Sequence, residues 1–283
     1  MANYKDIHGT NIETVASDPS NPVNGQVWYN STDQELKGFT SNPAGAWASG
    51  GNMNTARHIM AGAGTQTAGL VYGGNVPNTA LNESYNGSAW TEEADLNTAR
   101  RAYGGAGTST AALLVSGHTD GSGSDTAVVE SWNGSSWTEV GDLNTGRSGP
   151  GGAGASNTSG LCVSGNSGSY TAVVELWGGS SWTEVADLNQ ARSFPGGTGT
   201  NTAALCFGGS TGAGTNPPIT DENESWNGTS WTEIADLSTA RNAHASAGTN
   251  ASALAAGGAT PPVVATSEEL TAPLETTATF DVS

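Results

Sequence analysis

Short apolar runs alternate with runs rich in Gly, Asn, Ser and Thr along most of the chain, and they do so in a fixed order. In residues 128–142, two β-prone runs flank Asn133–Gly134. Either a two-residue or a four-residue loop would place Glu130, Trp132 and Trp137 on one face of a β-hairpin. A Gly/Ala-rich run and a short apolar run precede each such hairpin, and no helical period accompanies them. The pattern predicts an all-β chain built from four-stranded units.

This unit recurs about every 45 residues. Five tryptophans mark it: Trp47, Trp90, Trp137, Trp182 and Trp231. An arginine follows each of them ten residues later: Arg57, Arg100, Arg147, Arg192 and Arg241. A glutamate precedes four of them by seven residues: Glu83, Glu130, Glu175 and Glu224. Fixed offsets at this period are typical of repeat architectures with four strands per unit.

We name the four strands of a unit a (Gly/Ala-rich), b (apolar), c (ending in Asn-Gly) and d (Trp-Thr-Glu). The fifth unit has its a, b and c strands near the C-terminus, while an unmatched d strand, Ala46–Ser49, lies near the N-terminus. We therefore expect a five-bladed β-propeller of four-stranded antiparallel blades over residues 41–272, closed by that N-terminal d strand. The Gly/Ala-rich a strands suit the crowded axis. Residues 1–40 are expected to form a small β or extended arm, and residues 273–283 a tail strand.

The repeat resembles that of kelch-type propellers. The resemblance rests on a Gly-Gly pair at the end of strand b and an aromatic residue and a Trp on the c–d hairpin. The pairs Gly73–Gly74, Gly208–Gly209 and Gly257–Gly258 match, whereas Ser116–Gly117 and Ser164–Gly165 match in part. The aromatic-to-Trp spacing of five is shorter than the usual kelch turn, so the chain is expected to be a kelch-like variant.

The chain also resembles Gly/Asn/Thr-rich repeat proteins of tailed phages, especially marine ones. The similar segments are Asn54–Arg57 with Ala61–Ala68, and the N-terminal stretch Asn24–Asn30 with Leu36–Phe39. The resemblance implies a non-enzymatic virion protein on a tail fibre or another tail or head appendage. It also implies attachment to other virion proteins through the arm, which could alternatively be a cap on the propeller. Assembly in the host cytoplasm and a homo-oligomeric state within the particle are expected as well.

The repeated arginines allow two interpretations. They are five of only six arginines in the chain, and buried charges are generally paired. The structural interpretation pairs each Arg with the repeated Glu of strand c or with loop carbonyls between blades. The alternative is a ring of guanidinium groups at the axis that binds an anion. Substitution of Arg147 by Ala separates the two.

All variation in repeat length lies between each Arg and the next Glu, and the b–c loop is the segment that varies. In a four-stranded meander the b–c and d–a connections emerge on the same side, so the variable loops are expected to share one rim. Insertions on one face often mark a binding face. The candidate contacts on this variable rim are His118, Asp120, Asp125, Tyr170, Asn216 and Asp221. Tyr170 could stack on a sugar, and the loop at 120–125 could hold a cation, although it lacks EF-hand spacing.

Composition narrows the classes of function. Eight Lys and Arg against 26 Asp and Glu give a formal charge of −18, which argues against a nucleic-acid partner. No apolar run is long enough for a membrane span, and no secretion signal is expected. No nucleophile elbow, phosphate loop or zinc motif is present, and carboxylates that repeat with the blades indicate architecture more than catalysis. We expect no enzyme activity, no cofactor and no metal. Two alternatives to the virion protein stay open: a lectin-like propeller that binds carbohydrate, and a cellular scaffold for protein interactions.

Overall fold

The computed structural model describes residues 13–17, 19, 26–32, 35–38, 51–75, 77–101, 104–119, 125–212, 218–259 and 266–271. Within these ranges the protein is all-β and forms a five-bladed β-propeller, as the repeat predicts. The described ranges contain no helix that is long and apolar enough to cross a membrane. Two compact units are present, residues 1–49 with 273–283 and residues 50–272.

The second unit contains the blades, each with its strands in sequence order. Blade 1 consists of β4 (Ala61–Thr65), β5 (Ala68–Tyr72), β6 (Asn82–Tyr85) and β7 (Trp90–Glu92). Blade 2 consists of β8 (Gly104–Thr108), β9 (Ala111–Val115), β10 (Val129–Trp132) and β11 (Trp137–Val140). Blade 3 consists of β12 (Gly151–Ser156), β13 (Ser159–Asn166), β14 (Tyr170–Trp177) and β15 (Trp182–Glu184). Blade 4 consists of β16 (Gly196–Thr200), β17 (Ala203–Phe207), β18 (Asn223–Trp226) and β19 (Trp231–Ile234).

The described part of blade 5 is a three-stranded sheet of β20 (Ala245–Gly248), β21 (Ser252–Ala256) and β22 (Ser267–Thr271). These are its a, b and c strands. The d strand predicted at 46–49, with Trp47, lies outside the described residues. In the first unit, β1 (Glu13–Val15) pairs in parallel with β2 (Val27–Asn30), which pairs antiparallel with β3 (Glu35–Gly38).

The c–d hairpins have the four-residue loop of the two lengths considered. Trp132 pairs with Trp137 and Glu130 with Glu139, so the expected side-chain parity is present. In the Asn-Gly pair only Gly134 has a positive φ, of 93°. The Asn133 side chain closes the loop instead, because its Oδ1 accepts hydrogen bonds from the backbone N–H groups of Ser135 and Ser136, both at 3.0 Å.

The tryptophan pairs of blades 2, 3 and 4 pack each of these blades against the preceding one. Trp132 and Trp137 lie 5.5 Å apart and share a buried cluster with Leu70 and Tyr72 of blade 1. Trp177 and Trp182 pack in the same way on blade 2, and Trp226 and Trp231 on blade 3. Strand b of blade 2 contributes to both interfaces of its blade. Leu114 belongs to the cluster shared with blade 1, and Leu113 belongs to the cluster shared with blade 3. The alternation of side chains in strand b therefore holds the blades together on both faces.

The a strands of all five blades surround an axial cavity of about 340 Å³. Their glycines allow the backbones to approach closely. A Cβ added to Gly105 would lie 2.6 Å from the Gly62 carbonyl oxygen, and one added to Gly197 would lie 2.7 Å from that of Gly152. In blade 5 the equivalent residue is Ser246, whose hydroxyl donates to the Gly197 carbonyl at 2.9 Å and accepts from the Gly197 N–H at 3.2 Å.

Candidate functional site

The b–c and d–a connections lie side by side on one rim in every blade. Antiparallel backbone bridges join the start of each b–c loop to the residue that follows the repeated arginine. The bridged pairs are His58 with Asn75, Arg101 with His118, Ser148 with Asn166, Ser193 with Ser210, and Asn242 with Ala259. The expectation that the variable loops share one rim is therefore confirmed for the described parts of these loops.

The described candidate residues on the variable rim lie on three successive blades. In blade 2, His118 Nδ1 lies 3.1 Å from Asp125 Oδ1, and both side chains are partly exposed. In blade 3, Tyr170 is half-buried at the start of β14, where it pairs with Asn166. In blade 4, Asp221 is exposed and its carbonyl accepts the Leu237 N–H at 2.9 Å. Asp120 and Asn216 lie outside the described residues. Of the four described candidates, the structure brings His118 and Asp125 into direct contact.

This rim surrounds the mouth of a second axial cavity of about 750 Å³. Ile59, Phe194 and Ala243 line the mouth, and each has a positive φ of 51–57°, which is uncommon outside glycine. At Phe194 and Ala243 this conformation accompanies backbone hydrogen bonds between blades. The Phe194 N–H donates to the Gly149 carbonyl at 2.7 Å, and the Ala243 N–H donates to the Phe194 carbonyl at 2.9 Å. The residues with left-handed backbone therefore contribute to the contacts between blades as well as to the lining of the cavity.

Each repeated arginine is buried and forms an ion pair with a glutamate on strand c of the blade that follows it. The pairs are Arg57 with Glu83, Arg100 with Glu130 at 2.6 Å, Arg147 with Glu175, Arg192 with Glu224 at 2.8 Å, and Arg241 with Glu268 at 2.6 Å. The arginine side chains are at most 1% exposed. The structural interpretation agrees with these pairs. The anion-ring interpretation does not, because these guanidinium groups are sealed from solvent.

The carboxylates in these pairs have further hydrogen-bond donors. Glu130 Oε2 accepts from the backbone N–H of Asn97 at 2.7 Å and from its side-chain amide at 2.9 Å. Asn144 and Asn189 bind Glu175 and Glu224 in the same way. Burial alone would raise the pKa of Glu83, but the N–H of Asn54 and the Arg57 guanidinium together hold that pKa below its usual value. The Asn-x-x-Arg segment of the first four repeats, and Ser-x-x-Arg in the fifth, therefore surrounds one carboxylate.

The backbone of the same arginines contacts the preceding blade. The Arg100, Arg192 and Arg241 carbonyls accept from the N–H of the second glycine of the Gly-Gly or Ser-Gly pair of that blade, at 3.0, 2.9 and 2.8 Å. We call this combination an arginine bridge: the side chain binds the following blade and the carbonyl binds the preceding one. The donating glycines have φ of 106–125°, whereas the first residue of the pair has φ of 59–67°. A serine tolerates a φ of 59–67° better than one of 106–125°. This difference accounts for Ser116 and Ser164, which replace the first glycine of the pair and never the second.

Glu268 is a structural residue that the sequence pattern missed. The other four glutamates are recognised by the tryptophan that follows seven residues later, and Glu268 has no such tryptophan. A weaker signal was present, because Glu268 follows Arg241 by 27 residues and the other separations are 26–32. The adjacent Glu269 would have fitted equally well. The structure distinguishes them, since the Ser238 N–H and the Arg241 guanidinium bind Glu268 and lower its pKa against the effect of burial.

The two cysteines of the chain lie in its core. Cys162 and Cys206 are free and fully buried, and burial raises the pKa of both thiols to about 12, which leaves them unreactive. Within the described ranges no group of three or more His, Cys, Asp or Glu side chains is arranged to hold a metal ion. Comparison of the chain with models of known protein families gives no match, and comparison with curated proteins gives none either.

Proposed function

We propose that this protein is a non-enzymatic binding module on the particle of a tailed phage, and that the variable rim is its binding surface. The observation that carries the proposal is the division between a repeated framework and loops of unequal length collected on one rim. A rigid scaffold that presents variable loops is a common basis for recognition. Such a surface on a tail fibre or another appendage would serve attachment to the host surface or decoration of the particle.

The pairing of the buried glutamates with arginines supports a non-enzymatic role. An acid–base pair for catalysis needs two groups held in different environments. Here the buried glutamates recur in equivalent positions and are bound by arginine and by backbone N–H groups. The His118–Asp125 pair on the rim has no nucleophile among its described contacts. Function in this proposal therefore depends on binding alone.

Support for the virion comes from the sequence. The Asn-Thr-Ala-Arg segments and the N-terminal stretch resemble those of tailed-phage repeat proteins. The segment 1–49 belongs to a compact unit of its own, with a small sheet of β1, β2 and β3. We propose that this unit attaches to other virion proteins, that the chain assembles in the host cytoplasm, and that it is present in several copies per particle.

Mass spectrometry of purified, nuclease-treated particles tests the virion proposal. We expect this chain at a fixed copy number relative to the major capsid protein, in a ratio set by the symmetry of its appendage. A soluble host protein of similar abundance serves as the control for carry-over. Absence of the chain from clean particles, together with a stable cellular partner, would overturn the proposal in favour of a cellular scaffold.

A carbohydrate ligand is the second candidate, favoured by the half-buried Tyr170 on the rim. Tyr170 follows the short turn at 167–169, and an aromatic face is a common platform for a sugar. On a glycan array, the Tyr170→Ala variant is expected to lose at least about tenfold in affinity, or about 1.4 kcal/mol. The Glu139→Gln variant, altered on the outer strand of blade 2, should bind as the wild type does. Equal binding by all three proteins would exclude Tyr170 from the ligand site.

A further inference from the structure

His244 occupies a slot that recurs between successive blades. The slot lies against the first glycine of strand a in the preceding blade. A Cβ added to Gly104 would meet the Pro150 ring at 3.1 Å, and one added to Gly151 would meet the Pro195 ring at 3.2 Å. A Cβ added to Gly196 would meet His244 Nε2 at 2.5 Å. Two equivalent slots therefore contain a proline ring, whereas the slot between blades 4 and 5 contains an imidazole.

The slot gives this imidazole no polar partner. His244 is 9% exposed, and within the described part of the chain neither of its ring nitrogens has a hydrogen-bond partner. Its ring packs on Phe207 of blade 4, with the ring centroids 5.3 Å apart. The other close neighbours are the glycine backbones at 208 and 258. The equivalent slots hold an apolar proline ring, whereas this one holds the His244 imidazole, which takes up a proton near neutral pH in water.

The neighbouring charges do not compensate for burial. The residues that pack against His244 from three elements carry no titratable group. They are Gly196, Phe207, Gly208 and Gly258. The charged groups that act on His244 are Arg241, which opposes protonation, and Glu268, which favours it and is already bound to Arg241. Burial first and Arg241 second lower the pKa of His244 from 6.5 to about 4. The closed interface therefore requires the neutral imidazole above pH 4.

The described apolar cluster at this interface differs in composition from the other three. It consists of Leu205, Phe207, Ala253 and Ala255, where the other clusters each contain two tryptophans. Among the described residues no tryptophan joins this cluster. Strand β20 is also more exposed than its counterparts β12 and β16.

We propose that His244 is an acid-sensitive switch between blades 4 and 5, so that protonation of its imidazole releases blade 5 from blade 4 while the two proline-filled interfaces stay closed. In the open form the imidazole reaches water and accepts a proton. Opening is therefore favoured progressively as the pH falls from about 6.5 toward 4, and the effect is absent above pH 7. A binding propeller with this property would change its ring, and with it the rim of blades 4 and 5, in a mildly acidic medium.

Hydrogen-exchange mass spectrometry of the full chain at pH 7 and pH 5 tests the switch, after correction for the chemical exchange rate. The two pKa values give an opening equilibrium about 20-fold larger at pH 5 than at pH 7. We expect protection in peptides from 245–259 and 266–271 to fall by that factor. Protection in 151–166 of blade 3 should stay unchanged.

Matched variants decide whether His244 is responsible. His244→Pro places in this slot the residue found in the equivalent ones, and Ala243 already has the φ of Phe194 and Gly149, which precede those prolines. His244→Met, the blade 1 residue at this position, serves if the proline variant folds poorly. Both should keep full protection at pH 5, and His58→Asn, at an exposed histidine, should behave as the wild type. The proposal is overturned if the variants lose protection as the wild type does, or if blade 3 opens together with blade 5.

Discussion

Substitution of Arg147 by Ala is expected to lower the free energy of unfolding by about 3–5 kcal/mol, because it leaves the buried Glu175 carboxylate without its cation. The loss extends beyond the ion pair, since Arg147 Nη1 also donates to the Val173 carbonyl at 2.9 Å. Urea unfolding followed by tryptophan fluorescence measures the change, because the indoles of Trp177 and Trp182 are buried at this interface. We expect the midpoint to fall with little change in slope.

Two controls accompany Arg147→Ala. Arg101 forms no ion pair within the described ranges and is half-buried on the rim, so Arg101→Ala should change stability by less than about 1 kcal/mol. The double variant Arg147→Met with Glu175→Leu removes both charges and should recover most of the loss. If Arg147→Ala unfolds as the wild type does but loses binding of inorganic phosphate, the arginines form an anion site and the structural interpretation fails.

The Gly152→Ala variant is expected to lose about 3 kcal/mol, although it adds a single methyl group. The new Cβ would lie 2.9 Å from the backbone nitrogen of Gly105 and closer still to its carbonyl oxygen, and neither atom can move without displacing blade 2. Gly152 does not have a positive φ, so the loss would report crowding at the axis alone. Thermal unfolding of the purified variant measures it.

Gly62→Ala is the matched control for Gly152→Ala. Gly62 is the equivalent residue of blade 1, but a Cβ there would meet the Leu70 carbonyl oxygen at 3.4 Å, an ordinary contact. This variant should be within about 1 kcal/mol of the wild type. Equal losses at the two positions would mean that strand propensity, and not close approach of the a strands, determines the cost.

The spacing of Trp, Glu and Arg was sufficient to predict the blades, because these residues make the same contacts in each repeat. Trp132 and Trp137 pair as the alternation of side chains requires. The b–c and d–a connections share a rim because a meander of four strands permits no other arrangement. Features that depend on strand periodicity and on repetition can therefore be predicted from the sequence.

Features that depend on a single blade could not be predicted in the same way. Glu268 lacks the tryptophan that identifies its counterparts, and the contact of His118 with Asp125 depends on the path of one loop. The slot of His244 was not visible either, since its equivalents, Met60, Pro150 and Pro195, share no chemistry with it. Pro150, Pro195 and His244 share the space that a glycine of the preceding blade leaves open, and such space is a property of two backbones together.

The arginine bridges have a consequence for how this protein can evolve. In a bridge the Arg lies on the d–a connection, the Glu on strand c, and the donating Gly at the end of strand b or two residues beyond it, so the bridge lies outside the part of the b–c loops that varies in length. Insertions and deletions in these loops therefore leave the bridges unchanged, as the separations of 26–32 residues between Arg and Glu already indicate. Selection can alter the loops of one blade without compensating changes in the next. The ring thus offers several sites for diversification at little cost in foldability.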